Sequence, residues 1–161
     1  MLNEEIKDSI ENSIFICDMH FQRLEWALNQ ITGSLPFSVE TYLELKPEQI
    51  AVIDQFVFRF AKAQDNIGNK LFRLILTALD EDIEGIPFRD ILNKLEKLSI
   101  ISNRDLWISL REIRNELAHE YSASIDETIV ALNKLFNSYS SLKEIYNNCL
   151  SFIKIKFYEN T

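Results

Sequence analysis

Apolar residues along this chain fall at steps of three and four. From Ile10 the positions Ile10, Ile14, Cys17, Phe21, Leu24, Leu28 and Ile31 alternate strictly between the two steps. That alternation keeps one side of a helix apolar, so it predicts a helix over residues 2–32 with a seam lying lengthwise on other helices. Gly33, Ser34 and Pro36 end it, and the segment LPFSVETYLELKP reads as a connection across the end of a bundle. Pro47 suits the first turn of a second long helix, with Ile50, Val57, Phe60, Ile67, Leu71, Leu74 and Ala78 inward and an end near Asp80.

The acidic run DEDIEG then reads as a solvated turn closed by Gly85, and Pro87 opens a shorter helix carrying Ile91, Leu92, Leu95 and Leu98. Ser102 or Asn103 is the expected N-cap of a fourth helix that buries Leu106, Leu110, Ile113 and Leu117. Ser124 with Glu127 matches a capping box for a fifth. Its seam is Ile125, Ile129, Leu132, Phe136, Tyr139, Tyr146, Cys149 and Ile153, interrupted only by Lys143.

Four long or medium helices and one short helix make an all-α antiparallel bundle the economical architecture. A chain of 161 residues suits one domain, 1–161, and three glycines and three prolines leave most of it free to be helical. There are no internal repeats or low-complexity tracts.

The N-terminus MLNEEIKDSIENS is acidic and polar, and no segment reaches the roughly 18 uncharged apolar residues of a membrane span, so the expected location is the cytoplasm, away from membranes. Cys17 and Cys149 both lie on apolar stripes without metal-ligand spacing, which favours buried free thiols over a disulfide or a zinc site. The net charge of −8 argues against a broad, nonspecific nucleic-acid binder and leaves room for a local cationic cleft. No Gly-rich phosphate loop or calcium-loop spacing occurs, so no cofactor or metal is expected.

The chemistry concentrates in RNELAHEY, Arg114 to Tyr121. At about 100° per residue Asn115 and His119 share one face, Arg114 and Tyr121 another, and His119 lies roughly 140° around from Arg114. Short side chains on one helix do not converge from such positions. A second copy of the helix, brought across a two-fold axis, would bring two arginines and two histidines to one cleft. Histidine, with an unperturbed pKa of about 6.5, takes a proton from a ribose 2′-OH or gives one to the leaving 5′-oxygen. Arginine supplies a forked cation for the charge that builds on the phosphorane, and Asn115 is placed to orient His119. The plainer reading is a histidine favoured by a helix C-terminus beside a solvated arginine.

The pattern Arg114-Asn115-x-x-x-His119-x-Tyr121 resembles the RX4HXY signature of HepT-type toxins in the HEPN superfamily. RFAKAQDNIG, Arg59 to Gly68, is similar to the RF-x-K-x-QD-x-x-G pattern of a HepT-like branch. The resemblance covers about Ile50 to Tyr139 by motif and the flanking helices by architecture. It implies a helical bundle that dimerises and a metal-independent endoribonuclease with Arg114 and His119 catalytic and Asn115 supporting. It also implies a toxin–antitoxin partner, a small MntA-type nucleotidyltransferase that silences the toxin by AMPylation of Tyr121. An adenylate two residues beyond His119 would put bulk and negative charge where the substrate phosphate must sit.

Gln64 falls within the apolar stripe of the second helix and Asp65 is adjacent. They form either a local polar network with Arg59 or Lys62 or a support facing Arg114. Gly68 suits a close helix approach. Trp107 and Arg111 extend the Arg114 face, as a cleft wall holding RNA or as a helix–helix or dimer contact. His20 has no catalytic neighbours in sequence and is read as structural or surface. The alternative to an RNA-cutting homodimer is a catalytically inactive HEPN module that presents substrate or a surface to a nucleotidyltransferase. The acidic net charge speaks for that module, and the intact Arg114, Asn115, His119 and Tyr121 speak against it.

Overall fold

The structure, a computed structural model, describes residues 2–120 and 124–159, the side chains of 118–120 excepted. Its helices are α1 (Glu4–Ile31), α2 (Val39–Leu43), α3 (Pro47–Asn66), α4 (Phe72–Ala78), α5 (Phe88–Lys97), α6 (Arg104–Glu120) and α7 (Ile125–Ile153), with no strand among the described residues. The chain is an all-α helical bundle.

Asn3 caps α1 by accepting from the Glu5 N–H at 2.8 Å, and the predicted seam is buried at Ile10, Cys17, Phe21, Leu24 and Ile31. Contacts of Asn66 with Ser13 and Cys17 at one end, and of Arg59 with His20 further along, set α3 antiparallel to α1. The α7 helix also runs antiparallel to α1 and touches α3 as well. Tyr139 there bonds Glu25, Tyr146 bonds Asp18, and the Phe21 and Tyr146 rings stack 4.8 Å apart. Lys143 interrupts the α7 seam without breaking it. Its ammonium lies 4.7 Å from the Phe21 ring centre and 3.7 Å from Glu25.

The connection after α1 contains α2, which the sequence reading does not anticipate. A reciprocal Ser38–Thr41 capping box starts it. Phe37 is buried just before it, its N–H and C=O both bonded at 2.9 Å by the Asn133 side chain of α7.

The predicted stripe of the second helix needs correcting at both ends. Ile50 is 41% exposed, and the buried stripe is Ile53, Phe56, Phe60 and Ala63, about a quarter turn away. Its phase is set by the large rings, Phe56 meeting Phe136 at 4.7 Å. Beyond Asn66 a π turn, Ile67–Leu71, separates α3 from α4, and the Phe72 N–H reaches back to the Ile67 C=O. The extra residue in that turn rotates the downstream residues by one position. Phe72, Ile75 and Leu76 are therefore buried, while the predicted Leu74 and Ala78 stand at the half-buried edge.

The acidic turn is closed by Glu81 paired with Lys94 at 2.5 Å, with Gly85 in the left-handed region at φ +72°. Of the two candidate caps for α6, Asn103 is the one used, accepting from the Leu106 N–H at 2.8 Å. The Ser124–Glu127 capping box is not formed. Ser124 makes no side-chain cap bond, and its carbonyl instead accepts from the Thr128 N–H and hydroxyl.

Cys17 and Cys149 are buried free thiols. Burial pushes the Cys17 thiol up to about 12 and raises Cys149 as well, so both stay protonated near neutral pH. Among the described residues no helix is long and apolar enough to cross a membrane.

Candidate functional site

The two motif-bearing stretches meet where α6 crosses the C-terminal end of α3 and the π turn. Gly68 makes the approach possible. A Cβ there would lie 2.9 Å from Trp107 Cζ2, closer than van der Waals contact allows. The close approach expected of Gly68 is present, and the indole fills the space a side chain would take.

Trp107 is consequently 1% exposed, its ring 4.7 Å from Phe72. Of the alternatives left open for it, the structure shows the helix–helix contact and not the cleft wall. Its predicted companion Arg111 is exposed and lies over the Phe88 ring at 5.2 Å. The Trp107 Nε1 is buried and has no hydrogen-bond partner.

Two turns along α6, Arg114 Nη2 donates to Asp65 Oδ2 at 3.0 Å, and Nη1 donates to the neighbouring Asn115 Oδ1 at 3.3 Å. Asp65 therefore faces Arg114 rather than Arg59 or Lys62. Both partners are half-buried. The carboxylate fixes the direction of the guanidinium, and bonds among the described residues engage two of its five N–H donors. The Asn115 carbonyl oxygen is taken up by Arg114, so it serves the arginine first. The backbone of His119 lies in the last turn of α6, about 7.5 Å of helical rise beyond Arg114. Its side chain, and Tyr121 entirely, lie outside the described residues.

Gln64 is the unusual member. It is 2% exposed, and neither its amide nitrogen nor its carbonyl oxygen has a partner, so it makes no network with Arg59 or Lys62. One helical turn separates it from Gly68, about 40° around, which directs it to the side of α3 that α6 covers. An amide left unpaired in such a place costs about 1–3 kcal/mol.

His20 resolves to the structural reading. It is buried, and its Nδ1 lies 3.1 Å from Arg59 Nη1. A guanidinium only donates, so Nδ1 accepts and the ring is neutral with its proton on Nε2. Burial, then the positive charges of Arg59, Lys62 and Arg23, lowers its pKa. The sequence carried a signal for this contact, because Cys17, His20 and Leu24 also step by three and four. Among the described residues no group of three or more His, Cys, Asp or Glu is placed to hold a metal ion.

Comparison with known proteins adds no relative: no family model, no curated protein and no solved structure matches this chain.

Proposed function

We propose that this chain is a metal-independent endoribonuclease toxin of the HEPN type that works as a homodimer, with Arg114 and His119 as its catalytic groups. The supporting observation is the Arg114–Asp65 ion pair. It joins, across 49 residues of sequence, the two stretches on which the resemblance to HepT-type toxins rests. In this reading Asp65 aims the guanidinium, which holds the scissile phosphate and the charge that builds on it. His119 moves the proton at the ribose 2′-OH or at the leaving 5′-oxygen. Gln64 supports the same region from within the α3–α6 contact. A nucleotidyltransferase of the MntA type silences the toxin by adding AMP to Tyr121, two residues beyond His119.

The test is RNA cleavage by the unmodified protein in excess EDTA. Cleavage is expected, and His119→Ala is expected to slow it by about 10²–10⁴ with the helical circular dichroism unchanged. Activity that the chelator removes, or that His119→Ala leaves intact, would sink the reading. Co-expression with a nucleotidyltransferase should add whole AMP units to the intact mass, located at Tyr121.

One observation favours a second reading, in which the chain is a silent module that presents a surface to the nucleotidyltransferase. Arg114 is already paired with a carboxylate, in a chain of net charge −8. That reading expects no cleavage from any sample and retained binding of the nucleotidyltransferase.

A further inference from the structure

Another surface combines positive charge with an open aromatic ring. Between α1 and α3 lies a groove of about 810 Å³, lined by Arg23 and Trp26 from α1 and by Glu48, Ala51, Val52 and Gln55 from α3. Trp26 is 54% exposed, in contrast to the buried Trp107. Arg59 and Lys62 continue the Arg23 end, flanking the 51%-exposed Phe58 ring at 5.3 and 5.6 Å.

Exposed lysines and arginines on a helix face are usually just solvated. Two features set these apart. The ion pairs among the described residues engage Lys94, Arg104, Arg114, Lys143 and Lys154, and none engages Arg23, Arg59 or Lys62. Arg59 is also drawn partly inward, its Nε buried without a partner and its Nη1 against His20. The charges that lower the His20 pKa, after burial, are all positive, and Arg59 is itself lowered by burial and by Arg23. Uncompensated cations crowded together in an acidic protein favour an anion at that place.

We infer that the α1–α3 groove binds a nucleoside phosphate, its base on the Trp26 ring and its phosphate among Arg23, Arg59 and Lys62. An open indole offers a plane to any base, and the cations supply the phosphate site. Arg23 and Trp26 are three residues apart on one helix and so are surface neighbours. Glu48, eleven residues before Arg59 and about 16 Å along α3, repels phosphate from the far end and so gives the ligand a direction. The same chemistry is presented by a free nucleotide and by one residue of a strand. None of these groups takes part in the cleavage proposed for Arg114 and His119, so binding here and cleavage there can fail independently.

Trp26 is also the reporter. The full-length protein, wild type and His119→Ala, is titrated with AMP, with a six-residue oligodeoxyadenylate that lacks the 2′-OH, and with inorganic phosphate, following tryptophan emission. Saturable quenching by AMP or the oligomer is expected in both proteins, and Trp26→Phe should remove it. With a fluorescently labelled ligand, Arg23→Gln/Lys62→Gln should weaken binding about tenfold, Trp26→Phe should weaken it less, and Lys134→Gln should leave it unchanged. Tighter binding of the oligomer than of AMP identifies a strand as the ligand, and equal binding identifies the free nucleotide. No quenching by either probe overturns the inference. So do affinity indifferent to Arg23→Gln/Lys62→Gln, and phosphate binding as tightly as AMP with no dependence on Trp26.

Discussion

Asn66 and Gln64 are both buried amides on α3, two residues apart and about 200° around the helix from each other, yet their surroundings differ completely. Asn66 faces α1 and is satisfied. Its nitrogen donates to the Ser13 carbonyl and the Cys17 sulfur, both at 2.9 Å, and its oxygen accepts from the Ser13 hydroxyl at 3.4 Å. Gln64 faces α6 and has no partner for either atom. The contrast extends to the neighbours. On the α6 side the Trp107 Nε1 is also unpaired, and Asp65 and Arg114 meet half in solvent. Around Asn66 the α1 face of α3 is thus finished as packing, with the buried Arg59 Nε further along as its one unpaired atom among the described residues, whereas the α6 face carries polar groups that stability alone does not explain.

Asn66→Leu should bring the largest loss. It removes three hydrogen bonds from a closed site, leaves the Ser13 hydroxyl without its acceptor, and is expected to cost about 1–3 kcal/mol in urea denaturation. A neutral result would erase the distinction between the two faces. Gly68→Ala should come next. Overpacking against Trp107 costs about 1–3 kcal/mol, and the better helix propensity of alanine returns roughly 1, so a net loss near 1 is expected, together with shifted Trp107 emission. Gln64→Leu should do the opposite, leaving stability unchanged or raised by up to about 1 kcal/mol, because an unpaired amide is replaced by an apolar group. If it also lowers RNA cleavage, the unpaired amide belongs to the site; a loss as large as that of Asn66→Leu would instead reveal a structural partner.

The smallest effect is expected at His20, and it is visible only against pH. Its folded pKa is lowered by burial and by Arg59, Lys62 and Arg23, so the unfolded chain binds its proton first as the pH falls. The associated stability is fully present above the unfolded value of about 6.5 and is lost as the pH falls through that value toward the folded one. His20→Gln should flatten the dependence of the urea midpoint on pH between about 7.5 and 5. An unchanged slope would mean that the ring is as easily protonated folded as unfolded.

These positions also show what was legible beforehand. The seam of α1 could be read because one phase holds from Ile10 to Ile31. The stripe of α3 could not be carried through, since a step rule extrapolated past Leu71 has no means of knowing that the π turn adds a residue. Helix α2 was hidden because five residues are too short for periodicity to register. Ser124 and Glu127 are the right residue types for a capping box in a geometry that does not make one. In the site, Asp65 was legible only as one of two alternatives, because helical spacing says which side of its own helix a residue occupies and not which helix lies opposite. Trp107 likewise was legible only as two alternatives, a cleft wall or a helix–helix or dimer contact. What buries it is the missing side chain at Gly68, a feature of the neighbour.

The π turn at Ile67–Leu71 makes one continuous rod of backbone carry two registers. Upstream, Asn66 is clasped to α1, and downstream Phe72 meets Trp107. Shortening the turn by a single residue would merge the two registers. Asn66 would stay where it is, while Phe72, Ile75 and Leu76 would swing about 100° away from their present burial. Because α4 packs on α1 as well, a splice one residue long sets how this rod meets both of its neighbours, α1 and α6.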